Sequence, residues 1–202
     1  MGATAAASTV GRIGPNAVTR LGEALRALYG DPMAARVFGA AALAHMLREP
    51  PCDMVDEGAV ARLHGSAHAE LGAEAASQVG REAGLRTADY LLTHRIPRPL
   101  QRLLPWLPAP VAARVLVAAI GRHAWTFAGR GLFTAQWRHG GVRLAIAGCP
   151  LCRDIRAARP ACDFYCATFE RLFATLVCRA ARVSEVACQA GGSPACMFEV
   201  RW

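Results

Sequence analysis

The segment VSEVACQAGGSPACMFEVRW, residues 183–202, decides how the C-terminal part of the chain is built. Apolar and polar residues alternate on both sides of Gly191-Gly192-Ser193-Pro194, the pattern of two strands joined by a glycine-rich turn. Glu185, Cys188 and Cys196 cluster around that turn. Upstream, CDFYCATFERLFATLVCRA (162–180) places Phe164, Phe169, Leu172, Phe173 and Leu176 at helical period. Before it, LFTAQWRHGGVRLAIAG (132–148) alternates around His139-Gly140-Gly141 and predicts a second hairpin. The last third therefore predicts a small antiparallel sheet with a helix packed across it.

The rest of the chain reads as helix. Asn16 is placed to cap NAVTRLGEALRALYG, with Val18, Leu21, Leu25 and Leu28 at helical spacing and Gly30 as the stop. Asp31-Pro32 then starts DPMAARVFGAAALAHML, which ends before Pro50-Pro51. From Asp56 to about Thr93 the composition favours helix, with Gly65, Gly72, Gly80 and Gly84 at small spacings. Repeated glycine on a helix indicates close approach, by a second helix in the favoured reading or by a flat ligand in the other. Five prolines between His94 and Pro110 forbid a continuous helix in HRIPRPLQRLLPWLPAP, which reads as an apolar, arginine-flanked linker or lid. Val111 to Phe127 is helical again. Arg114, Arg122 and His123 interrupt it, and no apolar run approaches the roughly 18 residues needed to span a bilayer. The expected organisation is a flexible tail over residues 1–15 and one α+β domain over 16–202, with a helical part at 16–128 and a sheet part at 131–202.

The chain has 202 residues, is 53% hydrophobic and carries a net charge of +8, with arginine supplying every basic side chain. Guanidinium groups favour anionic ligands and membrane surfaces. The arginines are scattered and do not form a cluster interleaved with aromatics, so nucleic acid is not an expected partner and peripheral contact is the most a membrane is expected to make. The opening MGATAAASTVGRIGPN lacks the charged start and long apolar core of a secretory signal, which points to the cytoplasm. There, cysteines serve as thiols or metal ligands and not as a disulfide framework.

Zinc needs four donors in a near-tetrahedron. Glu185 and Cys188 are three apart, and a regular strand sends such residues to opposite faces unless a bulge intervenes. A bend there would bring Cys196 beside Cys188, with Cys162 at the start of the preceding helix as a fourth donor. On spacing alone, a metal site and buried hairpin thiols are equally supported. Cys149-Pro-Leu-Cys152 is a competing zinc-knuckle or redox pair without a matching second pair. Cys166 and Cys178 sit among helix apolars, as core thiols do.

Residues 131–202 resemble the vinyl-4-reductase domain, which is similar to zinc-containing sensory domains that detect aromatic compounds. Those sensors hold zinc with a cysteine followed by glutamate and two cysteines in the pattern E-x2-C-x7-C, which falls here on Cys162, Glu185, Cys188 and Cys196. The resemblance implies a structural zinc on these four residues. The whole chain, including GPNAVTRLGEAL at 14–25, resembles the 4-vinyl reductase family of bacteriochlorophyll synthesis. That implies a divinyl chlorophyllide or protochlorophyllide whose ring-B vinyl group is reduced to ethyl. Such a reduction needs an electron source. Gly129-Arg-Gly131 does not continue as a dinucleotide-binding turn, and no ferredoxin cysteine spacing occurs, so the reductant is external and unknown. A carrier that presents the tetrapyrrole to other pathway enzymes is the alternative, and a homodimer is compatible with either. A macrocycle with a carboxylate and a central metal calls for a cation, an apolar slot and an imidazole. Arg95 and Arg98 are candidates for the first, Trp106 and Trp125 for the second, and His123 for the third.

Overall fold

Gly30 sets the course of the N-terminal half. In the computed structural model, which describes residues 11–202, α1 spans Asn16–Ala40 but turns a corner at Gly30, whose φ is 79°, with Pro32 just beyond. Glycine takes that left-handed value without the steric cost a Cβ would bring, so the expected stop and restart share one bent element. Asn16 does not cap it; the helix begins at Asn16 behind Pro15, with no side-chain cap. The second arm ends sooner than its composition predicts, because Ala42 turns to a φ of 58° and only the short α2 (Ala44–Arg48) follows. Of the expected tail, residues 1–10 lie outside the described residues. Arg12–Ile13 form β1, paired with β2 (Val55–Asp56), and Ile13 is buried.

Two longer helices follow, α3 (Glu57–Leu71) and α4 (Ala73–His94), separated at Gly72 with φ 79°. Asp56 caps α3 by accepting the Ala59 N–H at 2.7 Å. The glycine stripe is helix packing. A Cβ on Gly84 would lie 2.3 Å from the Phe164 carbonyl oxygen, and one on Gly80 would touch Asp163 at 3.4 Å. The proline-rich stretch is not a bare linker. It folds as α5 (Arg98–Leu103), a 3-10 turn (Leu104–Trp106) and α6 (Ala109–Arg122), each with a proline in its first two positions, where the missing N–H costs no helical bond. The short α7 (Trp125–Ala128) completes the helical part.

The sheet contains β3 (Leu132–Arg138), β4 (Gly141–Ala147), β5 (Arg182–Ala187) and β6 (Ala195–Arg201), antiparallel in the order β3-β4-β6-β5. Register pairs Val142 with Val200, Leu144 with Phe198 and Ile146 with Cys196, so one face carries a continuous buried row. The helix α8 (Asp163–Leu176) lies across that face. Its Phe169 meets Phe198 edge-on at 5.5 Å between ring centres. Behind α8 comes α4, and behind α4 comes α1. Each fully buried Leu or Phe in these layers contributes about 2 kcal/mol of apolar transfer. The architecture is the expected α+β arrangement of helices followed by a small antiparallel sheet.

Candidate metal centre and ligand surface

Strand β5 resolves the three-residue spacing between Glu185 and Cys188. Glu185 pairs with Phe198, and the next paired residue, Ala187, faces Met197, so two steps along β5 match one along β6. The extra residue is Val186, half exposed at 48%. A bulge of this kind reverses the alternation of sides. Glu185 therefore shares the inner side with Phe198, Ala187 the outer side with Met197, and Cys188 turns inward towards Cys196.

The four predicted donors meet. One oxygen or sulfur atom from each of Cys162, Glu185, Cys188 and Cys196 lies within 4.8 Å of the others. Sulfur separations are 3.9 Å for Cys162–Cys188, 3.5 Å for Cys162–Cys196 and 3.7 Å for Cys188–Cys196. A tetrahedron with zinc–sulfur bonds of about 2.3 Å has edges of about 3.8 Å, so these spacings suit a single ion. Cys162 stands at the head of α8, where free backbone N–H groups favour a thiolate. Glu185 Oε2 accepts the Cys162 N–H at 2.7 Å, while Oε1 is buried without a hydrogen-bond partner. A buried oxygen left without a donor fits a cation as its missing partner.

A second pair joins the cluster. Cys149 and Cys152, in the loop after β4, lie within 4.8 Å of Cys162 and Cys196. Cys149 Sγ is 3.6 Å from Cys162, and Cys152 Sγ is 3.3 Å from Cys196. The Cys149 N–H donates to Gln189 Oε1 at 2.6 Å, and the Ala157 N–H donates to the Ala190 carbonyl at 3.0 Å, so the loop is fastened to the turn between β5 and β6. The C-x2-C spacing marks this pair in the sequence, but its complement lies far along the chain. The five thiols do not titrate independently. Cys152 is driven far down by hydrogen bonds from Cys149 and then from Cys162, Cys188 and Cys196, whereas Cys162 is driven up, first by Cys149. Burial and then the neighbouring Cys188 push the Glu185 carboxyl up to about 9. Negative charge accumulates here with no cationic side chain among its hydrogen-bond partners. Cys166 stays apart, its thiol donating to the Val183 carbonyl at 3.2 Å as a core residue.

The five predicted pigment contacts lie elsewhere. Arg95 follows α4, Arg98 opens α5, Trp106 is 88% exposed, His123 follows α6, and Trp125 is 59% exposed at the head of α7. They belong to a surface on which apolar side chains concentrate. Of ten exposed large hydrophobic residues described, seven fall between Leu103 and Trp137. Beneath it, Phe127 contacts Phe133, Tyr165 and Phe169 edge-on at 5.6 to 6.2 Å. None of the five lines the cavity of about 740 Å³ between α3, α4 and the loop 154–161, where His68, Asp163, Arg156 and Glu185 are found. His64 is a core histidine whose Nε2–H donates to the Ala17 carbonyl at 3.1 Å.

The vinyl-4-reductase domain family matches residues 142–202, the part that contains β4, α8, the bulged β5 and all five clustered cysteines. Two curated relatives span nearly the whole chain. The bacteriochlorophyll synthase 23 kDa chain of Cereibacter sphaeroides is 41% identical over 94% of this chain and 90% of its own length. That of Rhodobacter capsulatus is 35% identical over 93% and 85%. Among solved structures, an Fe(II) unliganded H-NOX protein mutant from K. algicida superimposes with a TM-score of 0.56 at 9% identity, covering 94% of this chain and 96% of that one. Another similar structure, concerned with haem redox potential and protein-induced porphyrin distortion, gives 0.50 at 13% identity over 94% and 100%. At such identities the likeness concerns the fold. Among the described residues, no helix is long and apolar enough to cross a membrane.

Proposed function

Since the chain belongs to the family of the bacteriochlorophyll synthase 23 kDa chains and carries a vinyl-4-reductase domain, we propose that it binds a tetrapyrrole intermediate of bacteriochlorophyll biosynthesis, of the divinyl chlorophyllide or protochlorophyllide type, and holds it for other enzymes of the pathway. The observation that carries this reading is the concentration of exposed apolar side chains between Leu103 and Trp137, because large apolar patches on a folded surface mark binding sites. Trp106 and Trp125 offer flat faces to a macrocycle, Arg95 and Arg98 a guanidinium to its carboxylate, and His123 an imidazole to its central metal. The porphyrin named for one fold neighbour supports the capacity of this architecture for such a ligand.

A structural zinc on Cys162, Glu185, Cys188 and Cys196 is part of the reading. It would join the head of α8 to the β5–β6 turn and so brace the layer against which α7 and its aromatic neighbours rest. Zinc has no redox chemistry of its own, and its contribution here is folding free energy.

Reduction of the ring-B vinyl group on this surface is the second reading, favoured by the vinyl-4-reductase domain match over residues 142–202. It requires electrons from an external donor. Both readings expect an absorbance shift when the purified chain is mixed with protochlorophyllide. Conversion of vinyl to ethyl by the purified chain plus reductant selects the second; binding without conversion selects the first. Absence of any shift at pigment concentrations well above micromolar overturns both.

A further inference from the structure

The five clustered thiols and Glu185 divide into two four-donor sets: Cys149, Cys152, Cys162 and Cys196, and Cys162, Glu185, Cys188 and Cys196. The sets share Cys162 and Cys196, whose sulfurs are 3.5 Å apart. We propose that the chain holds two divalent thiophilic ions, one in each set, with Cys162 and Cys196 bridging them. This extends the single-ion clasp proposed above by a second position that needs Cys149 and Cys152.

Three observations carry it. The first is shape. Two tetrahedra that share one edge require a short bridging pair with two terminal donors on each side. Cys149 Sγ lies 3.6 Å from bridging Cys162 and Cys152 Sγ 3.3 Å from bridging Cys196, while Cys188 lies 3.9 and 3.7 Å from the same two sulfurs. All are near the 3.8 Å or so of a zinc–thiolate tetrahedron. The sulfurs are also too close together to stand outside an iron–sulfur core.

The second is charge. Each bridging thiolate serves both ions, so a second divalent ion adds two positive charges while only two further thiols, Cys149 and Cys152, lose protons. The formal charge of the centre is therefore the same with one ion on four ionised donors as with two ions on six. Binding the second ion builds up no charge in a buried site, whereas ionising all five thiols around one ion would.

The third is support. The Cys149–Cys152 loop is not loosely placed near the clasp. Gly148 turns it with a φ of 71°, the Cys149 N–H donates to Gln189 Oε1, and the Ile155 N–H donates to the Cys152 carbonyl at 3.1 Å. Gln189 adjoins Cys188, and its own N–H approaches Cys196 Sγ at 3.5 Å. One residue thus fastens the terminal donors of one set to those of the other, as side chains around metal ligands do.

The test is metal content and geometry in the full chain, measured by native mass spectrometry with zinc in excess and by X-ray absorption at the zinc edge. Two ions per chain and a zinc–zinc vector of about 3 Å are expected, the separation that follows from two 2.3 Å bonds to each shared sulfur. In the double variant Cys149→Ser/Cys152→Ser, one ion and no zinc–zinc vector are expected. One ion in the parent, unchanged in the double variant, overturns the second position and leaves the clasp standing. One ion in the parent that survives Cys188→Ser but not the double variant overturns both, because the all-cysteine set would then be the site. Should the double variant fail to fold, the stoichiometry and metal–metal vector of the parent still decide.

Discussion

Glu185 accepts the backbone N–H of Cys162 through one carboxylate oxygen, at 2.7 Å, and leaves the other buried towards the thiols. One side chain therefore fixes the head of α8 and faces the candidate metal position. Glu185→Gln preserves the bond to Cys162 but replaces the anionic donor by a weak neutral one. Zinc affinity is expected to fall by about 100-fold or more, with the far-ultraviolet spectrum unchanged. Competition with a chromophoric chelator measures it. Unaltered affinity removes Glu185 from the donor set.

Gly84 and Gly39 are both helical glycines and are expected to respond oppositely to alanine. Alanine gains about 1 kcal/mol over glycine in a helix interior. At Gly39 nothing lies within 4 Å of the new Cβ, so Gly39→Ala stabilises by about that amount. At Gly84 the Cβ meets the Phe164 carbonyl oxygen at 2.3 Å, and backbone cannot move aside cheaply. Overpacking of this kind costs about 3 kcal/mol, which outweighs the propensity and leaves Gly84→Ala destabilised by about 2 kcal/mol. Urea denaturation of both variants gives the signs.

Residues whose effect is local are readable from the sequence. Alternation around His139-Gly140 and around Gly191-Gly192 locates both hairpins because a strand repeats every two residues, and Gly30-Asp31-Pro32 marks the bend in α1. Features set by distant partners are not readable in this way. The match of Cys149 and Cys152 to Cys162 and Cys196 depends on β4 pairing with β6, which no local pattern encodes. The β1–β2 pairing joins two-residue strands about forty positions apart, too short for any periodicity to show. Proline reads as a breaker wherever it stands, although at the first positions of α5 and α6 it is compatible with helix.

Glu57 is 2% exposed and is held by three donors: the Arg130 N–H and Nε at 3.0 Å each, and Arg153 Nη2 at 3.1 Å. Burial opposes its ionisation, but these bonds outweigh burial and keep its pKa below the usual carboxylate value. Gly129 packs against the carboxylate so closely that a Cβ would lie 2.2 Å from Oε2, at a φ of 58° that already disfavours side chains. Gly129→Ala is expected to cost about 3 kcal/mol. The double variant Glu57→Ala/Gly129→Ala should cost less than the sum of the two single changes, because removing the carboxylate relieves the clash. Additive losses in thermal denaturation contradict this account.

His64 is buried against Phe164, ring centres 5.9 Å apart, and burial lowers its pKa from 6.5 to about 4, against the opposing effect of its bond to the Ala17 carbonyl. The folded state keeps the ring neutral, whereas the unfolded chain protonates it below about pH 6.5. This group therefore destabilises the fold progressively as pH falls from 6.5 to 4, by up to about 3 kcal/mol at 1.36 kcal/mol per pKa unit. His64→Gln cannot take up that proton. The stability of the parent relative to the variant should stay constant above pH 7 and decline by about that amount by pH 4. Thermal denaturation across the range measures the difference, and a constant difference at all pH values would falsify the assignment.

Trp125 and Arg98 separate the pigment surface from the neighbouring cavity. Trp125 is 59% exposed, and Arg98 begins α5, an element with no buried residues, so truncating either should leave the core intact. A flat ligand stacked on the indole loses apolar contact in Trp125→Ala and, in Arg98→Ala, the ion pair to its carboxylate. Each is expected to weaken binding of protochlorophyllide about tenfold, equivalent to about 1.4 kcal/mol. His68→Ala, in the cavity between α3 and α4, should leave binding unchanged. Absorbance titrations of the three variants give the comparison. Loss confined to His68→Ala would move the pigment into the cavity, where Arg156 and not Arg98 would meet its carboxylate.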